Sequence, residues 1–170
     1  MNLKQALRLY VIPDREIGAP RTLLAQTRDA LKGGATAIQL RDKELSGRKL
    51  LELATAMADL CHEMGALFIV NDRLDIALLS GADGVHLGQD DISPVIARTI
   101  CPANFIIGVS AQTCEQAKLA EQQGVDYLGV GAVTLTQTKG EAKALGLSGV
   151  QKVAAATPLP CVAIGGVSLD

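Results

Sequence analysis

The feature that most constrains this chain is a repeated glycine followed by a short aliphatic run. Three segments carry it: GGATAIQLR from Gly33, GADGVHLG from Gly81 and GVDYLGVG from Gly124, with GALFIVND from Gly65 as a looser copy. In each, glycine ends a helical pattern and an aliphatic strand follows within two to four residues. Glycine suits that place because, without a Cβ, it enters the left-handed region beyond the last helical turn. The stretches before the glycines read as amphipathic helices. Leu50, Leu53, Ala54, Met57, Cys61 and Met64 recur at spacings of three and four and so share one face. Thr113 with Gln116 has the spacing of a capping box. Strands are expected near 7–13, 37–41, 67–70, 84–87, 105–110, 127–131 and 161–166, giving seven β units separated by helices.

Regular alternation of helix and unbroken apolar strand implies a parallel sheet. The composition agrees: 48% of residues are apolar, yet there is no Trp and only two Tyr and two Phe, so aliphatic side chains must fill the core. Two closures fit, an open doubly wound sheet and a (β/α)8 barrel. An open sheet usually carries GxGxxG or a P-loop after its first strand, and VIPDREIGAP is neither. The expected fold is therefore α/β, a TIM (β/α)8 barrel, as one domain over residues 1–170. Such barrels usually need about 200 residues or more, and this chain stops just after its seventh strand.

Several function classes are disfavoured. A net charge of −2 with acids and bases interspersed carries no basic footprint for nucleic acid, and few aromatics remain for base stacking. The longest apolar runs fall far short of the ~20 residues of a membrane span, and MNLKQALRLYVIP does not read as a signal peptide. Cys61, Cys101, Cys114 and Cys161 form no CxxC pair, so inert thiols in a reducing cytoplasm are expected rather than zinc or disulfides. Small-molecule substrates are the expected partners, with homo-oligomer formation left open.

In a barrel, chemistry gathers where strands end. Strand two ends in Gln39-Leu40-Arg41-Asp42-Lys43, strand three in Asn71-Asp72-Arg73, and strand four runs into His86-Leu87-Gly88-Gln89-Asp90-Asp91. Strand five ends in Ser110, strand six leads into VTLTQTK (Val133–Lys139), and strand seven finishes in Gly165-Gly166. The strand starts read as plain. Each exit has a bland reading: a solvated charge run at 41–43, helix caps at Asn71, Asp72 and Ser110, a structural histidine at His86, a chain turn at Gly165-Gly166, and a solvated loop at 133–139. Together they describe more specific chemistry. Asp72 and Asp91, at the ends of adjacent strands, offer hard oxygen ligands for Mg2+, which retains waters and binds with substrate phosphates. Arg41, Lys43 and Lys139 supply positive charge. Thr136, Thr138 and the backbone at Gly165-Gly166 suit a second phosphate. Two anionic groups and one metal favour departure of diphosphate over hydrolysis, and no nucleophile–base–orienter triad suggests acyl transfer.

QLRDK, NDR, GADGVHLGQDD, GVS, GVGAVTLTQTK and AIGG occur in the order and spacing of the thiamine-phosphate synthases, which the chain resembles from its first strand to its last residue. These are (β/α)8 barrels that join a pyrimidine methyl diphosphate to a thiazole phosphate with release of pyrophosphate. The resemblance implies that Gln39, Leu40, Arg41, Asp42 and Lys43 bind the pyrimidine diphosphate, with Arg41 and Lys43 as charge partners. It implies Asn71 and Ser110 as contacts to the pyrimidine, and Asp72 and Asp91 as magnesium ligands. Thr136, Gln137 and Thr138 correspond to the thiazole-phosphate loop, Lys139 to a diphosphate contact, and Gly166 to a backbone contact to the thiazole phosphate. Arg41 and Lys139 are the implied catalytic residues, in a dissociative, Mg2+-assisted reaction. The chain departs from the family pattern at Ala132, Thr134 and Leu135, which replace two prolines and an aromatic, and at Gln112, which replaces a histidine. The resemblance also implies that the last βα unit is missing. Thr134 stands at the aromatic position and is expected to have no binding role. Two other readings remain open: a thiazole tautomerase-like barrel, and a catalytically silent phosphate-ligand binding homologue.

Overall fold

A computed structural model describes residues 2–134 and 144–167. The chain divides into two compact units, Met1–His86 with Ala103–Phe105, and Leu87–Pro102 with Ile106–Asp170.

The first unit runs α1 (Leu3–Ala6), β1 (Tyr10–Val11), α2 (Leu23–Lys32), β2 (Ala37–Leu40), α3 (Gly47–Glu63), β3 (Leu67–Asn71), α4 (Leu74–Leu79) and into β4 (Gly84–Leu87). Its strands lie in sequence order and pair in parallel, with Ala37 opposite both Tyr10 and Leu67, and Ile69 opposite Gly84. Every residue of β2 and β4 is buried. Burial on both faces explains why these strands read as continuous apolar runs rather than as alternating ones.

Helix α3 buries Leu50, Ala54, Met57, Ala58, Leu60 and Cys61. Met64, expected on that face, is the C-cap residue and is 49% exposed, because the helical period no longer directs it inward. Burial, reinforced by the nearby Asp83 carboxylate, pushes the Cys61 thiol up to about 12, so it is a neutral core side chain.

The first strand is shorter than the 7–13 expected. Asn2 accepts the Lys4 N–H at 3.0 Å and starts a helical turn, which takes Ala6 and Leu7 into the core. At the other end, Pro13 has no N–H to give a ladder.

In the second unit α5 (Pro94–Ile100), β5 (Ile106–Ala111), α6 (Cys114–Gln122), β6 (Tyr127–Gly131), α7 (Gly146–Ala155) and β7 (Cys161–Ile164) follow in order, with β5, β6 and β7 paired in parallel. The expected capping box is present: Thr113 accepts the Gln116 N–H at 3.2 Å, and the Gln116 side chain accepts the Thr113 N–H at 3.2 Å. Tyr127, 1% exposed, fills the space that a side chain at Gly108 would occupy; a Cβ there would meet the ring at 2.1 Å. The seventh strand stops at Ile164 instead of 166, because Gly165 and Gly166 turn the chain at φ +86° and +68°.

Left-handed glycines follow the helices at Gly65, Gly81 and Gly124 as expected, but in the first copy Gly34 rather than Gly33 takes that conformation. The strand starts are not plain. Two residues beyond Gly81 and Gly124 stand Asp83 and Asp126, and two beyond Gly34 stands Thr36. Asp83 Oδ2 accepts the Phe68 N–H at 2.8 Å while its own N–H donates to Phe68 O at 2.9 Å. Asp126 repeats this with Ile107 at 2.7 and 2.8 Å, and Thr36 repeats it with Leu9 at 2.9 Å for each bond. A polar residue thus closes the ladder against the preceding strand. A cationic or imidazole group from the helix before the preceding strand, α3 or α5, adds to two of the carboxylates: His62 Nε2 lies 3.1 Å from Asp83 Oδ2, and Arg98 Nη2 lies 2.7 Å from Asp126 Oδ2.

Asp126→Ala removes both charge-assisted bonds and strips the Ile107 N–H of its carboxylate partner. The expected loss is about 2–3 kcal/mol, read from the urea midpoint at unchanged slope. A loss below about 0.5 kcal/mol, the level of an ordinary surface change, rules the clamp out as a stabilising device. Among the described residues no helix is long and apolar enough to cross a membrane.

Candidate functional site

In the first unit, the residues at the end of β2 and just after it divide into committed and available groups. Leu40 is a core side chain, and Gln39, 3% exposed, donates its amide to the Tyr10 hydroxyl at 2.8 Å. Asp42 is fully engaged. One carboxylate oxygen accepts the Glu44 and Leu45 N–H groups at 2.9 Å each, and the other accepts Arg15 Nε at 3.0 Å together with Arg15 Nη2. Burial alone would raise the Asp42 carboxyl, but the Arg15 guanidinium and the two N–H donors overcome it and hold the group below its ordinary value. Arg41 is half-buried and makes no hydrogen bond or ion pair among the described residues. Lys43 is exposed, with Nζ 3.8 Å from Asp72 Oδ2.

Asp72 follows Asn71, the half-buried last residue of β3. Among the described residues it is the one non-glycine with positive φ, at +59°. Its N–H donates to His86 O at 2.8 Å, and its carbonyl accepts the Leu74 N–H at 3.1 Å. The reading of Asn71 or Asp72 as a helix cap does not hold: the N-cap of α4 is Arg73, with no side-chain cap bond. A left-handed aspartate costs on the order of 1–3 kcal/mol and persists where the surroundings impose it, typically at functional positions. His86 is buried, in line with a structural histidine.

In the second unit, Asp91 Oδ2 accepts the Gly88 N–H at 2.6 Å, on an exposed loop. Gln89 donates its amide to Ser110 O at 2.6 Å, a link between that loop and β5 that nothing in the sequence announced. The cap of α6 is Thr113, so Ser110 is not a helix cap. Gly165 O accepts the Val133 and Thr134 N–H groups at 2.9 and 3.1 Å, and Thr134 Oγ1 donates to Gly166 O at 2.9 Å. Thr134 therefore braces the Gly165-Gly166 turn. A Cβ at Gly166 would lie 1.9 Å from Thr134 Oγ1, so glycine is required there for space as well as for its φ of +68°. Thr136, Gln137, Thr138 and Lys139 lie outside the described residues.

No cluster of three or more His, Cys, Asp or Glu side chains able to hold a metal occurs among the described residues. Carboxylates supplied singly, with water and substrate oxygens completing the shell, are how Mg2+ is ordinarily held. Asp72 keeps 30% of its side chain exposed, and Asp91 is an exposed residue, so each is by itself the kind of accessible oxygen donor that ion takes.

Comparison with known proteins gives a consistent answer. A family model described as thiamine monophosphate synthase matches residues 9–170. The thiamine-phosphate synthase of Coprothermobacter proteolyticus is 52% identical over 168 residues, covering 99% of this chain and 80% of the relative. That of Moorella thermoacetica is 49% identical over 163 residues, covering 95% and 78%. A solved thiamine phosphate pyrophosphorylase from Pyrococcus furiosus superposes with a TM-score of 0.88 at 43% identity, over 98% of this chain and 78% of that one. The fold is thus of the α/β, TIM-like (β/α) class.

Proposed function

The chain belongs to the thiamine monophosphate synthase family, and from that premise we propose that it is a transferase joining 4-amino-2-methyl-5-(diphosphooxymethyl)pyrimidine to a thiazole phosphate, giving thiamine phosphate and pyrophosphate. Residues 1–170 act as one (β/α) barrel domain, in the cytoplasm, on small-molecule substrates.

The reaction is dissociative. The bond between the pyrimidine methylene carbon and the diphosphate oxygen breaks, the electron pair leaves with pyrophosphate, and the thiazole nitrogen attacks the pyrimidine methyl cation. Arg41, Lys43 and Lys139 hold the diphosphate and stabilise the charge that grows on it. Asn71 and Ser110 orient the pyrimidine, with Gln39 and Leu40 as its packed floor. Asp42 serves this segment through its backbone neighbours, since its carboxylate is already occupied. Thr136, Gln137, Thr138 and the Gly166 backbone hold the thiazole phosphate. Asp72 and Asp91 would hold Mg2+, which when bound neutralises charge on the leaving group. No general base is needed, because the attacking nitrogen carries no proton to remove.

The observation that best supports this reading is Asp72. Its φ of +59° is held beside Lys43 at a strand end. The test mixes both substrates with and without Mg2+ and measures thiamine phosphate and pyrophosphate. Equimolar products that appear only with the metal are expected. Isomerisation of the thiazole without coupling points to a tautomerase, and binding without turnover to a silent homologue; either overturns the proposal.

A further inference from the structure

Arg15 lies in the connection between β1 and α2, in none of the segments to which a substrate role is assigned. Its guanidinium nevertheless reaches 27 residues along the chain to Asp42, the residue between the two diphosphate cations. Both Arg15 donors fall on one Asp42 oxygen, while the other oxygen takes the N–H groups of Glu44 and Leu45. The Asp42 side chain is 2% exposed and that of Lys43 63%, so anchoring Asp42 inward leaves its neighbour facing outward.

The segment that carries Arg15 is itself braced. Asp14 Oδ1 accepts the N–H groups of Glu16 and Ile17 at 2.8 and 2.9 Å. Gln26, from α2, accepts the Asp14 N–H at 3.2 Å and donates to the carbonyls of Asp14 and Arg21, both at 3.0 Å. A fixed chain of contacts therefore runs from α2 through the Arg15 segment to Asp42.

We propose that Arg15 is a positioning residue: by holding Asp42 it sets the turn of Arg41-Asp42-Lys43 so that both cations meet the diphosphate. The inference rests on the reading of Arg41 and Lys43 given above. An exposed ion pair alone contributes little, but here one partner is buried and every acceptor direction of its carboxylate is used. Misplacement of charged groups by about 1 Å is enough to weaken binding and catalysis substantially.

The test uses the full chain with Arg15→Ala and Arg15→Lys, and measures kcat, KM for each substrate, thermal stability, and pyrophosphate binding with Mg2+ by calorimetry. Arg15→Ala is expected to raise KM for the pyrimidine diphosphate about tenfold or more, leave KM for the thiazole phosphate within about twofold, and weaken pyrophosphate binding in parallel. Arg15→Lys recovers only part of this, since one ammonium does not reproduce the guanidinium fork. Equal shifts in both KM values, or a lowered melting temperature with kinetics and pyrophosphate binding unchanged, overturn the positioning role. If wild type neither couples the substrates nor binds pyrophosphate, the functional reading falls and this inference with it. If wild type does both and Arg15→Ala binds pyrophosphate as tightly, only this inference falls.

Discussion

Asp72→Asn lowers thiamine phosphate formation by about 10²–10³-fold at fixed Mg2+, the scale of losing one electrostatic contribution, here exerted through the metal that would neutralise the departing anion. The Mg2+ concentration needed for half-maximal rate rises as well. Asparagine is the informative replacement because the backbone at position 72 is left-handed, at φ +59°. Asn tolerates that region as Asp does, whereas alanine would add strain to the loss of charge. The lost contact with Lys43 confuses little, since the two groups are 3.8 Å apart and the lysine is exposed. Asp91→Asn is the companion: the amide oxygen can still accept the Gly88 N–H, so only the charge is lost. An unchanged metal dependence in either variant removes that residue as a ligand.

Gly131→Ala is expected to destabilise the second unit by about 3 kcal/mol or more. Gly131 pairs with Ile164 across β6 and β7, and a Cβ there would lie 1.9 Å from the Ile164 carbonyl oxygen and 2.9 Å from its carbon. Backbone of a neighbouring strand cannot rotate aside as a side chain does. The same carbonyl accepts the Val133 N–H at 3.2 Å, so displacing it also disturbs the chain leading into the 133–139 stretch. Gly81→Ala is the control. Its φ is +76° but nothing lies within 4 Å of the added Cβ, so only conformational strain of about 1–2 kcal/mol is expected. Urea unfolding of both variants decides the point; equal losses would mean that β6 and β7 do not approach as described.

Much of the architecture was legible because it follows from local rules. The strand at Ala37–Leu40 and the one at Gly84–Leu87 were readable as unbroken aliphatic runs, and the Thr113–Gln116 cap as a spacing of three. The strand starts are less legible for an equally physical reason. Glycine dominates the repeat, while Thr36, Asp83 and Asp126 recur at a fixed offset beyond Gly34, Gly81 and Gly124. That offset was visible; its partners were not, because a ladder bond to Phe68 or Ile107 exists only once the preceding strand lies alongside. The first strand was overlong for a related reason: aliphatic content in LRLYVIP does not show that Asn2 diverts the chain into a helical turn.

At the site, residue types along the chain were enough to nominate Arg41, Lys43, Asp72 and Asp91, because strand ends of an aliphatic α/β chain have little reason to carry them without a ligand. They were also enough to suggest the family, which the 52% identity of a thiamine-phosphate synthase over nearly the whole chain supports. Which charges are already spent was decided only by tertiary structure. Asp42 and Asp72 look alike in sequence, each an acid beside a base. Folding gives Asp42 to Arg15, from 27 residues away, and sets Asp72 in a left-handed turn with Lys43 Nζ 3.8 Å from its carboxylate. Sequence determines periodicity and chemical type, which depend on neighbours along the chain. Saturation of a carboxylate depends on neighbours in space, and those exist only when the fold brings them within hydrogen-bond reach.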